Sequence, residues 1–592
     1  MRYGTSHVSH RGATNESAMT KKNTIPWKAF LCCGVFIWLI VNLLQGIFTE
    51  IQEDEAYYAL YGEHLAWGYF DHPPMVGLMA FLSRMVFPGA LGVRLVTVIF
   101  SCVTLLVIWR ILRPPRPTGR DVLLFLVLAF SIVMFNVYGF VTTPDGSLIL
   151  FSALFLLAYR HYLEDRSWKL ALWMGLLMAQ MVYSKYHAFL LLALVALSNP
   201  SLLRDGKFYV ACLLALAVLT PHILWQFQAG FPSLRYHLLQ RSEPFRWLYF
   251  LEYLPNQLIV FNPFTFGAVV YVLVKRNPEG LGATRPSPHV VFERGLKCIL
   301  VGFFLFFWLM SFRGHVEPHW TIACSVPVIV LVYRKAIDDQ RLRRYIMRFV
   351  LPSLLLIVAF RIFLVTPLAA RWGFNGKKAY YEAMATIAGD RPVVFRGSFQ
   401  KPALYHYFTG KESSTLRAFY DRMTQYDLWQ FDKAWLGREV FVCGADNNLS
   451  ERYSVSGTEV EGYFCHDFSS ANRLVTRFSI TNAGDGSEPV FHSGDTIQMD
   501  FAIHNPYEAP VDFQRKDFRI TLKALYQPNH SFAYCFYDNI PQIAPHSTYR
   551  GHLHTVVGGD LPEGVYHFNL SIGDGMASYV TERSALKISI LP

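Results

Sequence analysis

One short stretch, DEAYYALYGEHLAWGYFDHPPM at residues 54–75, collects acids, histidines, aromatics and a Pro-Pro step. Those residue types suit proton transfer beside a polar ring. Asp54 or Glu55 can take a proton from an attacking hydroxyl, a role worth roughly 10²–10⁴ in rate. Tyr57, Tyr58, Trp67 and Tyr69 offer flat faces, and Asp71 can orient His72. Similar groups recur further along. Asp145 lies in TTPDGS, Lys185 in YSKYH, Arg235 in FPSLRYHLLQRSEPFRW, and Arg313, His315, Glu317, His319 and Trp320 in FRGHVEPHW. Fixed cations among them (Lys185, His72, Arg235, Arg313, His315, His319) can hold an anionic leaving group as its charge develops. No C-x-x-C or H-E-x-x-H spacing suggests a metal site.

The elements that must position these groups are membrane spans. The chain has 592 residues, 53% hydrophobic and only 16% charged, where a soluble domain has about 25% charged. Runs near 29–48, 91–112, 121–142, 146–162, 168–184, 186–199, 208–227, 256–274, 296–312, 319–333 and 349–367 are apolar enough to span. That reading gives eleven spans, of which the fifth and sixth are short and could pair as a re-entrant hairpin. The first is too long for a signal-peptide core and reads as an uncleaved anchor.

Charge then sets the sidedness. Lys and Arg crowd alternate loops, including Arg110–Arg120, Arg160–Lys169, Lys275–Lys297 and Arg334–Arg348. The positive-inside rule makes those loops and the N-terminus cytoplasmic. The opening loop and everything beyond 367 then face outward. The net charge of +11 follows from this bias, and no basic-aromatic alternation suggests nucleic acid. Nearly every unusual polar group falls at the outer end of a span.

The expected organisation is a cytoplasmic tail (1–27), a transmembrane catalytic domain (28–368), a periplasmic α/β domain (369–470) and a periplasmic β-sandwich (471–592). In the α/β part, KKAYYEAMATIA has helical spacing, and PVVFRG and REVFVCG read as strands. In the last part, VTRFSI, TIQMDFAIH, FRITLKALY, FAYCFYD, TYRGHLHTV, VYHFNLSI and ALKISI alternate like sandwich strands. An oxidising compartment would permit a Cys443–Cys465 bridge, leaving Cys535 over.

Asp54-Glu55 after the first span, followed by YFDHPPM, resembles the first outer loop of GT-C glycosyltransferases. The nearest likeness is to the bacterial branch of lipid A aminoarabinose transferases and protein O-mannosyltransferases. TPDGSLILF (143–151) resembles that family's second acidic loop, SKYHAFLLL (184–192) its Ser/Thr-Lys-Gly-Pro segment, and HWTIACSVP (319–327) the start of a late span. The likeness covers roughly 28–367. It implies a GT-C membrane domain in a bacterial inner membrane that moves a sugar from a polyprenyl-phosphate donor to a lipid, glycan or protein acceptor, usually with inversion. By the same likeness Asp54 is the base, with Glu55 beside it, Asp145 the second acid and Lys185 a phosphate contact. His72 stands where the aminoarabinose branch has a lysine before Pro-Pro, and Lys185 is followed by Tyr186-His187 rather than Gly-Pro. Aminoarabinose is therefore not implied as the sugar. Donor phosphate contacts are expected at Lys185, His72, Arg235 and His319. Substrate contacts are expected at Tyr57, Tyr58, Asp71, His315, Glu317 and Trp320. No cofactor is required, although a diphosphate donor would call for a divalent ion on Asp54 and Asp145. FHSGDTIQMDFAIHNP and LPEGVYHFNLSIGDG faintly resemble sugar-binding modules of O-polysaccharide exporters, which would make the sandwich carbohydrate-binding.

Simpler roles compete. Asp54 and Glu55 could mark a helix start, Asp145 a helix cap, Lys185 a snorkelling side chain, and the tyrosines and tryptophans an interfacial belt. A transporter or flippase of a lipid-linked glycan is the rival function. It would place its ionisable groups near the midplane, within repeated halves. An inactive scaffold would need no acidic first loop.

Overall fold

The computed structural model describes residues 26–591 apart from 238–244, 276–285, 417–422, 445–449, 467, 469–473, 483–488, 514–520, 528–539, 560–561, 574–577 and 580–585. Arg241, Cys535 and the expected strand FAYCFYD lie outside the described residues.

The membrane part begins with α1 (Trp27–Phe48), α2 (Glu53–Glu63), α3 (Met75–Arg84), α4 (Leu91–Leu112), α5 (Gly119–Ser131), α6 (Val133–Val137) and α7 (Pro144–Glu164). It continues with α8 (Trp168–Ser184), α9 (His187–Ser198), α10 (Gly206–Gln228), α11 (Pro232–Arg235), α12 (Trp247–Phe261), α13 (Pro263–Val274), α14 (Pro288–Met310), α15 (Ser325–Asp338), α16 (Gln340–Tyr345) and α17 (Leu351–Leu364). Among the described residues seven helical stretches are long and apolar enough to cross a membrane. The α12–α13 pair, bent by 102°, makes an eighth if it counts as one span. Eleven spans were expected. The other three apolar runs are α5–α6, α8 and α9. At about 1.5 Å per residue, α5 is ~20 Å long, α8 ~26 Å and α9 ~18 Å, each short of a ~30 Å hydrocarbon core taken singly. Both α8 and α9 keep exposed apolar side chains, among them Trp173, Phe189 and Leu197.

The breaks between helices have local causes. At the α12–α13 corner Asn262 adopts a positive φ of 66°. Its carbonyl caps the Phe264 amide at 3.0 Å and its amide donates to Ser353 Oγ at 2.7 Å. Between α8 and α9 the chain is extended at Lys185 (φ −161°, ψ 143°).

The C-terminal part begins with α18 (Lys377–Ala388), β1 (Val393–Arg396), α19 (Gln400–Thr409), β2 (Ser413–Leu416), α20 (Gln425–Trp429), β3 (Val440–Cys443), β4 (Glu451–Val455) and β5 (Thr458–Cys465). Its sheet runs β2-β1-β3-β5-β4. The first three strands are parallel, and β5 and β4 are antiparallel additions. Cys443 pairs with Gly462 and Cys465 with Val440, so the two cysteines sit three residues apart along the ladder. That is ~10 Å at 3.4 Å per residue, beyond disulfide reach. Both are free and buried, so the permitted bridge does not form.

The last part has β6 (Val475–Ile480), β7 (Val490–His492), β8 (Thr496–His504), β9 (Thr521–Gln527), β10 (Thr548–Val556), β11 (Gly564–Gly573), β12 (Ser578–Tyr579) and β13 (Leu586–Leu591). They form a three-stranded sheet β10-β8-β6 and a second sheet β12-β11-β13-β7, with β9 also paired to β11. Inward residues of both sheets, such as Met499, Phe501, Phe568 and Ile588, share one core, and that core also takes in Val394 and Val442 of the α/β sheet.

The acidic loop does not belong to the membrane bundle alone. Tyr57, Tyr58 and Tyr61 of α2 are buried in one core with Met384, Phe395, Tyr405 and Phe441 of the C-terminal part. The Glu50 carboxylate accepts from the Lys377 and Lys378 amides at 3.0 and 2.9 Å, capping α18 where a carboxylate meets the positive helix end.

Candidate active site

Helix α2 begins with Glu53, Asp54 and Glu55 in its first turn and a capping box between Gln52 and Glu55. The helix-start reading of these acids is therefore right for Glu55. Its Oε1 accepts from Arg94 Nε at 2.8 Å and the Thr142 amide at 2.9 Å, and its Oε2 accepts from Arg94 Nη2 and the Gln52 amide. A carboxylate has about four acceptor positions, and here all four are used. Glu55 is fully buried and lies outside the cavity lining. Its placement is structural, which corrects the expectation of a catalytic role. It hangs the backbone at Thr142, three residues before Asp145, from the helix that carries Asp54.

Asp54 points the other way. It lines a cavity of about 1010 Å³ with Tyr58, Asp71, His72, Asp145, Lys185, His315, Glu317, His319 and Trp320. Nine of the expected groups thus join Asp54 around one space. Asp145, in the first turn of α7, holds Lys185 Nζ at 2.8 and 2.7 Å through its two oxygens. Both side chains are under a tenth exposed, so neither is a mere cap or a snorkelling side chain. An ammonium has three protons, and Asp145 accounts for two. His319 Nε2 lies 3.8 Å from Asp145 Oδ2, adding positive potential when protonated. Tyr58 hydroxyl and His72 Nε2 are 3.1 Å apart. Burial, with Asp54, Asp71 and Asp145 nearby, pushes the Tyr58 phenol well above its ordinary value, so it stays neutral. Asp71 accepts from Tyr61 hydroxyl at 2.7 Å. His315 Nδ1 meets Glu252 at 2.9 Å.

Two expected residues are elsewhere. Tyr57 packs on Phe399 with ring centroids 4.7 Å apart and accepts the Gln425 amide at 2.8 Å. It is 1% exposed and outside the lining, so its ring is a core element rather than a substrate platform. Arg235 ends α11 exposed and outside the lining, while Arg313 lies in it. Gly314, with φ 148°, allows the turn that brings Arg313 and His315 to one cavity.

Other lining residues were not singled out as site groups. Tyr138, Tyr236 and His237 come from loops between spans. Phe189, Leu190 and Ala193 of α9 and Phe306, Phe307 and Met310 of α14 give the cavity an apolar flank. Phe399 and Gln400 come from the C-terminal part, and Gln400 Nε2 donates to Asp54 Oδ1 at 2.8 Å. Gly68 lets the loop approach α10 closely: a Cβ there would fall 2.4 Å from the Trp225 ring. Among the described residues no cluster of three or more His, Cys, Asp or Glu side chains is arranged to hold a metal ion.

The family model described as dolichyl-phosphate-mannose-protein mannosyltransferase matches residues 71–225, a span that holds His72, Asp145 and Lys185 but not Asp54. The apo structure of ArnT from Cupriavidus metallidurans aligns over 74% of this chain and 98% of its own, with TM-score 0.54 and 12% identity. The same protein bound to undecaprenyl phosphate aligns over the same shares, with TM-score 0.52 and 13% identity. The chain has the GT-C glycosyltransferase fold. No curated protein matches the sequence. In this GT-C fold the loops singled out in the sequence come together around a single cavity.

Proposed function

We propose that the chain is a glycosyltransferase that moves a sugar from a polyprenyl-phosphate carrier to a hydroxyl of a lipid, glycan or protein acceptor. The site would sit at the outer face of a bacterial inner membrane, with the exported part in the periplasm. One observation carries the reading. A single cavity joins a carboxylate (Asp54), a buried acid–lysine pair (Asp145–Lys185) and an apolar flank from α9 and α14. A lipid-linked phosphate needs that combination, because its head is anionic and its tail is not. The likeness in fold to a structure bound to undecaprenyl phosphate supports the carrier class.

The chemistry follows from the geometry. Asp54 accepts the proton of the acceptor hydroxyl, whose oxygen forms a bond to the anomeric carbon. The bond from that carbon to the phosphate oxygen breaks, and its electron pair leaves with the polyprenyl phosphate. A single displacement inverts the anomeric centre. Lys185, held by Asp145, neutralises the departing phosphate with His72, His319 and Arg313, the last replacing Arg235 in this role. Basic side chains suffice for a monophosphate, so no metal is invoked. Tyr58, Asp71, His315, Glu317 and Trp320 face the sugar and acceptor.

The test is transfer of labelled sugar from bacterial polyprenyl-phosphate lipids to membrane extract by the purified chain, with free undecaprenyl phosphate added. Transfer that falls as the free phosphate rises supports a polyprenyl-phosphate leaving group. Transfer indifferent to it would reject the donor class.

A further inference from the structure

We propose that Gln400 is a positioning residue for Asp54, and that helix α19 of the exported part is a wall of the active site rather than a tethered neighbour. The inference rests on the transferase reading above. A carboxylate only accepts hydrogen bonds, so the Gln400 amide must present its NH₂ group to Asp54, as the 2.8 Å contact has it. The amide cannot take the proton itself. It holds one carboxylate oxygen and favours the ionised form, which is the form a base needs.

The position of Gln400 is set independently of that contact. Phe399, its neighbour, packs on Tyr57. The Gln425 amide donates to Tyr57 hydroxyl, and Gln425 Oε1 accepts the Phe70 amide at 2.8 Å. Lys377 Nζ meets Glu53 at 2.7 Å. His406 Nε2 meets Glu63 at 2.9 Å. These contacts fix the exported part on α2 at several points, so Gln400 arrives at Asp54 already placed. Asp54 is itself exposed, and a donor fixed from outside its own helix restricts the orientation of its carboxylate. Such pre-organisation lowers the cost of reaching the reactive geometry.

The test uses the full-length chain and two variants of similar size, Gln400→Met, which removes the donor, and Gln400→Glu, which replaces it with a charge. The readout is the acid limb of the kcat/KM–pH profile for transfer from polyprenyl-phosphate sugar lipids. Other ionisable groups face the same cavity: Tyr58, Asp71 and His72 from the loop of Asp54, and Tyr138, Asp145 and Lys185 across it. His187 and His237 join them, and the turn after α14 adds Arg313, His315, Glu317 and His319. All are shared by wild type and variants, so differences between profiles isolate residue 400. The limb should move up by about half a unit or more in Gln400→Met and further in Gln400→Glu, with kcat down roughly tenfold. An unmoved limb with wild-type kcat would overturn the positioning role, as would a loss of rate without any shift. A second measurement does not depend on activity. The Asp54→Cys/Gln400→Cys pair should be joined by a short bismaleimide in the folded chain, and failure of that cross-link would overturn the wall. Absence of transfer by wild type would reject the transferase reading and the positioning role together, while the cross-link would still decide the wall.

Discussion

Asp54 and Glu55 are neighbours in the chain with separate duties. Glu55 uses all four acceptor positions on Arg94 and two backbone amides. Removing one partner of a buried ion pair leaves the other charge uncompensated, at a cost of about 3–5 kcal/mol. Glu55→Ala should therefore lower thermal stability in detergent by about that much. Asp54→Asn should leave stability within about 1 kcal/mol, since Asp54 is exposed. The Asp145–Lys185 pair allows a sharper comparison. Lys185→Met alone strands a buried carboxylate, and Asp145→Leu alone strands a buried ammonium. The double variant should recover most of the lost stability without recovering transfer. Unfolding curves and transfer rates on the three variants check this, and recovered transfer would remove the pair from the chemistry. At this scale the sequence was most legible where ionisable residues broke an apolar pattern. Arg94 and Arg361 broke it too and went unremarked. Arg361 is buried against Asn42, Asn136 and Gln45, polar partners scattered along the chain that no local pattern connects.

Among elements, the docking of α19 on α2 carries a pH dependence. His406 Nδ1 faces the Lys411 carbonyl at 3.0 Å and its Nε2 faces Glu63 at 2.9 Å. Two acceptors on two ring nitrogens require the doubly protonated imidazolium. The hydrogen bond to Glu63 raises the His406 pKa above 6.5, against burial. Burial raises the Glu63 carboxyl, but hydrogen bonds from His406 and Arg84 outweigh it and bring it to about 2. For His406 the folded pKa is raised, so its stabilisation is complete below about 6.5 and is lost as pH rises through the folded value. For Glu63 the folded pKa is lowered, so its contribution is complete above about 4.5 and is lost as pH falls toward 2. Thermal stability should therefore fall as pH rises above neutrality, and Glu63→Gln should flatten that fall. An unchanged slope would contradict it. The elements themselves were legible: α18, β1, β3 and six of the expected later strands stand where alternation and helical spacing put them. Their docking was not, because Asp54 and Gln400 lie 346 residues apart and no periodicity spans such a distance.

For the whole molecule, the three expected spans that no single long helix fills are α5–α6, α8 and α9, apolar stretches that fall short in length. The sidedness rests on Lys and Arg in the loops and has its own check. With Cys32 and Cys33 replaced, a cysteine at Glu459 on β5 of the α/β sheet should react with a membrane-impermeant maleimide in intact cells. A cysteine at Arg344 should react only after the membrane is opened. The reverse pattern would invert the molecule and put the cavity on the cytoplasmic side. The central claim is that Asp54 activates an acceptor for sugar transfer in this cavity. The most direct measurement is transfer of radiolabelled sugar from polyprenyl-phosphate lipids by wild type and Asp54→Asn, at matched amounts of folded protein. The account predicts transfer by wild type and a loss of at least 10²-fold in Asp54→Asn, with undecaprenyl phosphate binding retained. Equal transfer by both would remove Asp54 as the base, and movement of a lipid-linked glycan without transfer would make the chain a transporter.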